Sequence, residues 1–409
     1  MRNGAGVSTT FAALKTRNYR YYWLGLVCYV LGHRAEYVTF AWMVWEVTRD
    51  PLYLGYLGLA QGVPLVVFQL YGGVLADRMD RLRLLIVTQL LTAVTLIIAF
   101  GMALTGTVRV APLLTLAALS SVFRAFDEPS RLSLIPQLID RARLSNAIAL
   151  GSIPWQAGRM IGPSIAGILI AAFGGTVGFA MAAVASVAAL ALYSRLRLEG
   201  QPMAGHGQNM LQQLVEGLSF VAHNFVFAAL IGLALFNATF GLSYVTLLPI
   251  FADVYFEAGA RGFGWLNAAH GSGALAGTLT VATFAHAIRR PGTVLLTGAT
   301  VMGLALMAFA VSPTLALAIA CLVVVGYGNT FYLTQVSTFM QQNVPDHLRG
   351  RVLSIYSLCW NMLPLGGLIG GVLASAVNAR FAVAVGGAMV AANALLLLTS
   401  RRLRGLNAR

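Results

Sequence analysis

Three ionisable side chains lie inside long apolar stretches of the chain and are candidates for exchanging protons: Glu36, Asp127 and His270. A carboxyl or imidazole group held away from water can gain and lose a proton near neutral pH when its surroundings are tuned for it. An ionisable residue at the centre of a membrane helix costs about 2.5–3.5 kcal/mol, so each one needs a compensating interaction. The structural alternative is a buried ion pair or, for His270, a hydrogen-bonded histidine that transfers no proton.

Glu36 has several candidate partners. His33 falls on the same helix face, whereas Arg34, two residues away, faces elsewhere. Arg124 and Arg159, from other apolar stretches, are the basic residues with which Glu36 could form a buried pair. Three interpretations stay open for Glu36: a proton carrier, a member of a structural ion pair, or a direct contact to a substrate.

Polar and aromatic side chains inside apolar stretches are candidates for lining a cavity that binds a small molecule. Amides between membrane helices often serve as interhelical hydrogen bonds, so a structural role is the alternative for each of them. The cavity candidates are Arg34, Glu36, Phe40, Arg124, Arg159, Asn237, His270, Asn329, Tyr332, Gln335 and Asn361.

Other kinds of chemistry find no support in the sequence. A GxxxxGK[ST] phosphate-binding loop is absent, and so are an HExxH metal motif and a credible nucleophile–base set. Cys28, Cys321 and Cys359 lie inside apolar stretches without CxxC spacing and predict neither a disulfide nor a metal site. We therefore expect no enzyme activity, no metal and no cofactor.

The composition places these residues in a membrane. Of the 409 residues, 58% are hydrophobic and only 10% are charged, against roughly 25% in an ordinary soluble domain. The mean hydropathy is +0.77. So few charges could not cover the surface of a soluble fold, which indicates lipid surroundings. The formal net charge of +14 does not predict a nucleic-acid partner, because the basic residues cluster between apolar stretches instead of along one solvated face.

Twelve apolar stretches are long enough, at about 20 residues each, to cross the hydrocarbon core as helices. They predict an all-α integral membrane protein with twelve transmembrane helices. Their approximate bounds are 20–47, 53–76, 83–105, 110–134, 146–173, 175–194, 220–251, 261–287, 292–311, 314–340, 352–377 and 379–399.

The basic residues set the expected orientation. Of the 27 Lys and Arg residues, 20 fall on the side that carries both termini, four fall on the opposite side and three lie within spans. By the positive-inside rule the termini are cytoplasmic, in the inner membrane of a bacterium. The longest polar stretch separates six helices from six. It predicts an N-terminal bundle at 1–196, a cytoplasmic linker at 197–219 and a C-terminal bundle at 220–409.

The loop after the second span carries the most specific motif. Residues 72–83 read GGVLADRMDRLR and resemble the signature loop G-x-L-A-D-R-x-G-R-R/K of the major facilitator superfamily. Asp80 stands where that pattern usually has glycine, and Leu82 where it often has a basic residue. The resemblance covers nearly the whole chain and implies the fold of that superfamily, two pseudo-symmetric six-helix bundles around a central cavity.

The resemblance also implies a conformational latch. In the superfamily an acid on the fourth helix pairs with an arginine of the signature loop, and the matching residues here are Asp127 and Arg81. We expect this contact to be closed in one conformation and broken in the other. A pair between Asp127 and Arg131, four residues apart, is the alternative and would be weak if exposed. The latch residues are Gly73, Asp77, Arg78, Arg81 and Asp127.

A motif with glycine and proline marks the fifth span. Residues 158–167 read GRMIGPSIAG and resemble the G-x-x-x-G-P-x-x-G-G motif of drug–proton antiporters in the superfamily. Small residues four apart let helices pack closely and proline bends a helix, so we expect a hinge at Gly158, Gly162, Pro163 and Gly167. Residues 344–351 resemble the loop between the tenth and eleventh helices. Residues 41–48 and 124–131 resemble bacterial exporters of enterobactin-type siderophores and of macrolides.

These resemblances imply a secondary active transporter, namely a proton-coupled exporter of a small amphipathic compound that works by alternating access. The expected partners are a small-molecule substrate such as a drug or a siderophore, protons and the lipid bilayer, and a single chain suffices to form the cavity. A lipid or lysolipid flippase, an importer of a nutrient and a non-transporting membrane sensor stay open as alternatives. Lipid-stimulated proton flux, uphill uptake, and ligand binding without flux would respectively identify them.

Overall fold

The computed structural model of the chain describes residues 12–78, 80–140, 143–198, 210–284, 291–360 and 362–404. These ranges are helical almost throughout and contain no strand. Side chains are described in them except at 70–78, 132, 145, 149, 156, 159–160, 210–214, 282, 284, 291, 346–347, 349–350, 354, 357, 360 and 401–402.

A 3₁₀ turn at Ala12–Lys15 precedes the first six helices. They are α1 (Arg17–Thr48), α2 (Pro51–Arg78), α3 (Arg81–Leu104), α4 (Val110–Leu138), α5 (Leu144–Phe173) and α6 (Gly175–Tyr193). Asp80 caps the start of α3, because its carboxylate accepts hydrogen bonds from the backbone N–H groups of Leu82 at 2.9 Å and Arg83 at 3.1 Å. This cap gives a physical reason for an acid where the signature loop usually has glycine. Gly174 separates α5 from α6 with a φ of 82°, a conformation that favours glycine.

The second half of the chain has more and shorter helices. They are α7 (Met210–His223), α8 (Phe225–Phe236), α9 (Tyr244–Ile250), α10 (Gly259–Phe284), α11 (Pro291–Ala310), α12 (Leu315–Asn343), α13 (Asp346–Trp360), α14 (Leu363–Ala376), α15 (Ala379–Thr399) and α16 (Arg401–Arg404). Two π-helical turns, Asn237–Gly241 and Phe251–Tyr255, flank α9. Such turns add a residue to the helical ladder and often mark functional segments.

Two predicted spans are interrupted, so their description as single continuous helices was wrong. Within 220–251, α7 ends at His223, and the side chain of Asn224 accepts a hydrogen bond from Val226 N at 3.2 Å to begin α8. Within 352–377, α13 ends at Trp360 and a new helix begins at Leu363. Pro364 stands in the first turn of α14, where its missing N–H is tolerated, whereas in the interior of a continuous helix it would break the ladder.

Eight stretches of the described chain are long and apolar enough to cross a membrane. They are Pro51–Gln69, Arg81–Leu104, Val110–Arg131, Gly175–Tyr193, Phe225–Tyr255, Gly292–Ala310, Leu315–Asn343 and Ala379–Thr399. The other predicted spans, 20–47, 146–173, 261–287 and 352–377, coincide with α1, α5, α10 and the pair α13–α14. In α1, the polar residues His33, Arg34 and Glu36 interrupt the apolar run.

The described residues of 1–43 and 63–205 form one compact unit, in which α3 packs against both α4 and α6. Two aromatic side chains at the start of α1 form hydrogen bonds to the backbone of α5. The Tyr19 hydroxyl donates a hydrogen bond to Ala147 O at 2.6 Å, and the Trp23 indole donates to Leu150 O at 2.8 Å. Both bonds tie α1 to α5, so the polar residues of α1 have a fixed position relative to that helix.

The described residues of 44–62 and 206–409 form the second compact unit, in which α10 packs on α12 and α11 on both α12 and α15. The first half of α2 lies against α14, because a Cβ atom at Gly58 would stand only 2.7 Å from Pro364 O. Asp253 pairs with Arg49 and accepts a hydrogen bond from the Trp45 indole at 3.0 Å. The boundary between the compact units thus falls within α1 and α2, while the division into sequence halves at 1–196 and 220–409 stays a prediction.

Candidate functional site

A buried polar cavity lies within the first unit, between α1, α3, α4 and α6. Its volume is ≈ 10 Å³. Glu36 on its wall is 3% exposed. The lining residues are Tyr29, Gly32, His33, Glu36, Gln89, Thr92, Leu96, Ser120, Arg124, Asp127 and Ser186.

Glu36 lies between a histidine and an arginine in this cavity. Its Oε2 atom is 3.6 Å from His33 Nδ1, one turn earlier on α1, and 4.0 Å from Nη1 of Arg124 on α4. The Arg124 guanidinium also contacts the His33 ring and donates a hydrogen bond to Ser121 Oγ at 2.9 Å. These contacts hold a buried carboxylate beside a fixed positive charge, which compensates part of the cost of burying both groups.

Gln89 on α3 forms the opposite wall of the cavity. It is 1% exposed, and its Nε2 atom donates hydrogen bonds to Ser186 O at 3.1 Å and Ser186 Oγ at 2.6 Å. The serine thereby fixes the orientation of the amide, and Gln89 Oε1 accepts no hydrogen bond from the described part of the chain. Sequence reasoning missed Gln89 and Ser186, although a single amide within the apolar run 83–105 was a usable signal.

Asp127 pairs with Arg131 in the structure, four residues further along α4. Both side chains are 4% exposed, so this alternative partner of Asp127 forms a buried pair and not a weak pair at the surface. The Arg131 guanidinium lies over the Tyr29 ring, 3.5 Å from its centroid, which adds a cation–π contact. α4 continues to Leu138, beyond the predicted end of the fourth span at 134, and Arg131 is buried in the core.

The other latch residues are only partly described. Arg81 Nη1 donates a hydrogen bond to the backbone oxygen of Ser133 at 3.4 Å, near the end of α4. Gly73, Asp77 and Arg78 belong to α2, but their side chains lie outside the described residues. The role of the latch stays a prediction.

Close packing joins α1 and α5 along the glycines of the proposed hinge. A Cβ atom at Gly162 would lie 2.5 Å from Arg34 Cβ, and one at Gly158 would overlap with Val30. Pro163 is inside α5 and Gly167 is buried. The Arg159 side chain lies outside the described residues.

Phe40 does not line the cavity. It is fully buried and makes an edge-to-face contact with Phe179, with ring centroids 5.0 Å apart. Phe40 therefore packs α1 against α6, and its place in a cavity for the substrate stays a prediction.

The candidates of the second unit form neutral hydrogen bonds. Asn237 Nδ2 donates to Asn329 Oδ1 at 2.9 Å, which joins the π turn after α8 to α12. The Tyr244 hydroxyl and His270 Nδ1 are 2.7 Å apart, which joins α9 to α10. Tyr332 and Gln335 are also buried on α12, and Asn361 lies outside the described residues.

Comparison with known proteins assigns the chain to a family. A sequence profile described as transmembrane secretion effector matches residues 8–408. The chain belongs to this family. It is thus a member of the major facilitator superfamily, a multi-pass membrane transporter and not an enzyme.

Relatives of this secretion effector are bacterial exporters and transporters. It is 29% identical to the multidrug efflux pump Tap of Mycolicibacterium fortuitum, covering 85% of this chain and 87% of the pump. It is 25% identical to the staphyloferrin A transporter of Staphylococcus aureus, covering 86% and 88%. It is 27% identical to the enterobactin exporter EntS of Escherichia coli, covering 84% and 82%.

Solved structures support the fold. The secretion effector superposes on a bacterial homologue of the human lysosomal transporter Spinster with a TM-score of 0.72 at 17% identity, covering 96% of this chain and 99% of the other. The corresponding values for a POT peptide transporter are 0.73 and 12%, covering 95% of each chain. At these identities the likeness establishes the major facilitator fold alone.

Proposed function

We propose that this secretion effector is a proton-coupled exporter of a small amphipathic compound, and that Glu36 carries the proton. The observation that carries the proposal is the size and lining of the cavity around Glu36. A volume of ≈ 10 Å³ has room for about one water molecule. Sites for drug-sized ligands measure about 300–1,000 Å³. The cavity thus suits a proton and its accompanying water, and the exported compound binds elsewhere.

Glu36 is placed to convert a change of protonation into a change of conformation. The ionised carboxylate compensates the positive charge of Arg124, whose Nη1 atom lies 4.0 Å from Glu36 Oε2. Protonation removes the negative charge and leaves Arg124 without that counter-charge in a buried site. The two protonation states therefore favour different arrangements of α1 against α4, which is what coupling of a proton to alternating access requires.

The substrate class rests on the relatives. The efflux pump Tap is named for several drugs, and the staphyloferrin A and enterobactin proteins for siderophores. We propose that the exported compound is a drug or a siderophore of mixed polarity. It is transported outward through an inner membrane, and both termini of the chain lie in the cytoplasm. The latch of Gly73, Asp77, Arg78, Arg81 and Asp127 is proposed to stabilise one of the two end states of the cycle.

Proteoliposomes that contain a pH-sensitive dye test this proposal. A panel of siderophores, macrolides, lipophilic cations and lysolipids is added to the wild type, to Glu36→Gln and to Glu46→Gln. Glu46 is a matched control because it lies ten residues further along α1, is exposed, and undergoes the same chemical change. We expect substrate-dependent proton flux in the wild type and the control, and none in Glu36→Gln.

Two other outcomes contradict parts of the proposal. Flux that survives in Glu36→Gln removes the proton from this residue and directs attention to Asp127 or His270. Flux that responds to lysolipids alone indicates a flippase in place of an exporter of soluble compounds.

A further inference from the structure

Helix α7 differs from the other helices of the second unit in having a buried, an apolar exposed and a polar exposed face. Gly217, Phe220 and Val221 face the core of the unit. With about 3.6 residues per turn, the remaining positions separate into two flanks. Val215, Leu218 and Ala222 form an exposed apolar flank, whereas Glu216, Ser219 and His223 form an exposed polar flank.

The buried face fixes α7 against α13. A Cβ atom at Gly217 would stand 3.1 Å from Arg351 Cβ and 3.0 Å from Ile355 Cδ1, so the two helices are in close contact there. Glu216 and Arg351 form an ion pair across the same contact. The helix is thus part of the folded unit, and the orientation of its two exposed flanks is defined.

The apolar flank has the composition and exposure to contact lipid. Val215 is 58% exposed and Leu218 55% exposed, and together with Ala222 they form a continuous apolar stripe along the helix. The stripe leads directly into α8, where Phe225 begins the membrane-length stretch Phe225–Tyr255 and is 45% exposed. Continuity with a span places this flank at the boundary between head groups and acyl chains, as in helices that lie in the membrane surface.

The polar flank borders a pocket of ≈ 640 Å³. It contains one carboxylate and one guanidinium side by side, Glu216 and Arg351. His223 Nδ1 is 2.8 Å from the backbone oxygen of Ser219, to which it donates, so its Nε2 atom is the nitrogen left to accept a hydrogen bond from a ligand. The lining residues are Val215, Glu216, Ser219, Phe220, His223, Asn224, Leu348 and Arg351.

We propose that this pocket binds the head group of a phospholipid with a primary amine, such as phosphatidylethanolamine. Arg351 donates hydrogen bonds to the phosphate, and the ammonium donates to the Glu216 carboxylate and His223 Nε2. The acyl chains follow the apolar flank of α7. A choline head group has no N–H to donate, and an anionic glycerol head group brings a net negative charge to the Glu216 carboxylate without an ammonium to offset it. Both should therefore bind more weakly.

The proposed position of α7 at the membrane surface is tested with fluorescent labels at two neighbouring positions on this helix. Leu218→Cys and Ser219→Cys are each labelled with bimane in the full chain reconstituted in nanodiscs, after Cys28, Cys321 and Cys359 have been replaced by alanine. We expect brominated acyl chains to quench the label at 218 and aqueous iodide to quench the label at 219. Equal quenching of both labels by iodide would overturn the proposal.

The choice of head group is tested by retention of lipids in native mass spectrometry. The wild type should retain phosphatidylethanolamine over phosphatidylcholine and phosphatidylglycerol by about three- to tenfold, the net effect of one hydrogen bond to a partly exposed acceptor. Glu216→Gln keeps an acceptor for Arg351 but loses the charge that attracts the ammonium, so it should weaken this preference, whereas the matched control Glu46→Gln should preserve it. No preference in the wild type, or an undiminished preference in Glu216→Gln, would exclude the assigned site.

Discussion

The two units of this transporter compensate the cost of burying polar groups in different ways. In the first unit ionisable groups are buried between the helices beside neutral ones, with Glu36 near Arg124 and Asp127 paired with Arg131. In the second unit the buried polar contacts between helices are neutral, such as the amide pair of Asn237 and Asn329, and its described ion pairs, Arg49–Asp253 and Glu216–Arg351, each have one exposed partner. Buried charges respond to protonation and to the loss of a partner by several kcal/mol, whereas buried amides respond weakly.

This difference indicates that the two units have different roles in the proposed transport cycle. The first unit contains the groups whose charge can change during a transport cycle. The second unit offers hydrogen-bonding groups such as Tyr244 and His270, whose pairing requires no net charge. Two π turns flank α9, the helix that carries Tyr244, and such turns often mark functional segments.

The largest effect on stability is expected from breaking the ion pair of Asp127 and Arg131. Arg131→Leu leaves a buried carboxylate without a counter-charge and removes the stacking on Tyr29, so the free energy of unfolding should fall by about 3–5 kcal/mol. The measurement is thermal or denaturant unfolding in detergent micelles. Arg83→Leu is the control, because Arg83 lies 3.6 Å from Asp80 in a pair whose side chains are 84% and 48% exposed. Its effect should stay within about 1 kcal/mol, and equal effects of the two substitutions would contradict the comparison.

A smaller effect is expected where α1 packs on α5. Gly162→Leu inserts a side chain where even a Cβ atom would lie 2.5 Å from Arg34 Cβ, and overpacking of this kind costs about 1–3 kcal/mol. At Gly151 on the same helix a Cβ atom would meet no atom within 4 Å, so Gly151→Leu should be neutral or stabilising by up to about 1 kcal/mol. Unfolding of both variants checks this. A Gly162→Leu protein as stable as Gly151→Leu would show that the two helices separate without cost.

The smallest effect is expected from the amide pair of the second unit. Asn237→Leu and Asn329→Leu should each lower stability modestly, with a coupling energy of about 0.6 kcal/mol between them. A double-mutant cycle of unfolding free energies measures this coupling, and the double variant serves as its internal control. A coupling energy of several kcal/mol would mean that the neutral pair contributes as much to stability as the charged pair of Asp127 and Arg131. It would remove the contrast between the units.

Much of the fold follows from the sequence, because hydrophobic length and the positions of basic residues are local properties of the chain. The twelve apolar stretches coincide with helices, and the family was recognised from residues 72–83. Breaks inside apolar runs were missed, because a single capping residue such as Asn224 carries a weak signal next to thirty apolar neighbours. The ten-residue start of α7 inside the polar stretch was missed for a related reason, since its exposed flanks are mixed in polarity.

The composition of the site could be predicted only in part. Glu36, His33 and Arg124 were named from their positions inside spans, and the structure brings all three together. The choice between Arg81 and Arg131 as the partner of Asp127 depends on where α4 ends and on the ring of Tyr29, neither of which a spacing rule contains. Gln89 and Ser186 contact each other across 97 positions, and only the fold reveals such a pair.

The role of Glu36 as the proton carrier is tested by comparing two modes of transport by the same variant. Once the substrate panel has given a transported compound, Glu36→Gln is measured both for exchange of labelled against unlabelled compound at equilibrium and for uphill transport driven by a pH gradient. We expect exchange to continue, because the protein still alternates between its end states, and uphill transport to fall to the level of empty liposomes. Uphill transport at the rate of Glu46→Gln would contradict the claim that Glu36 carries the proton.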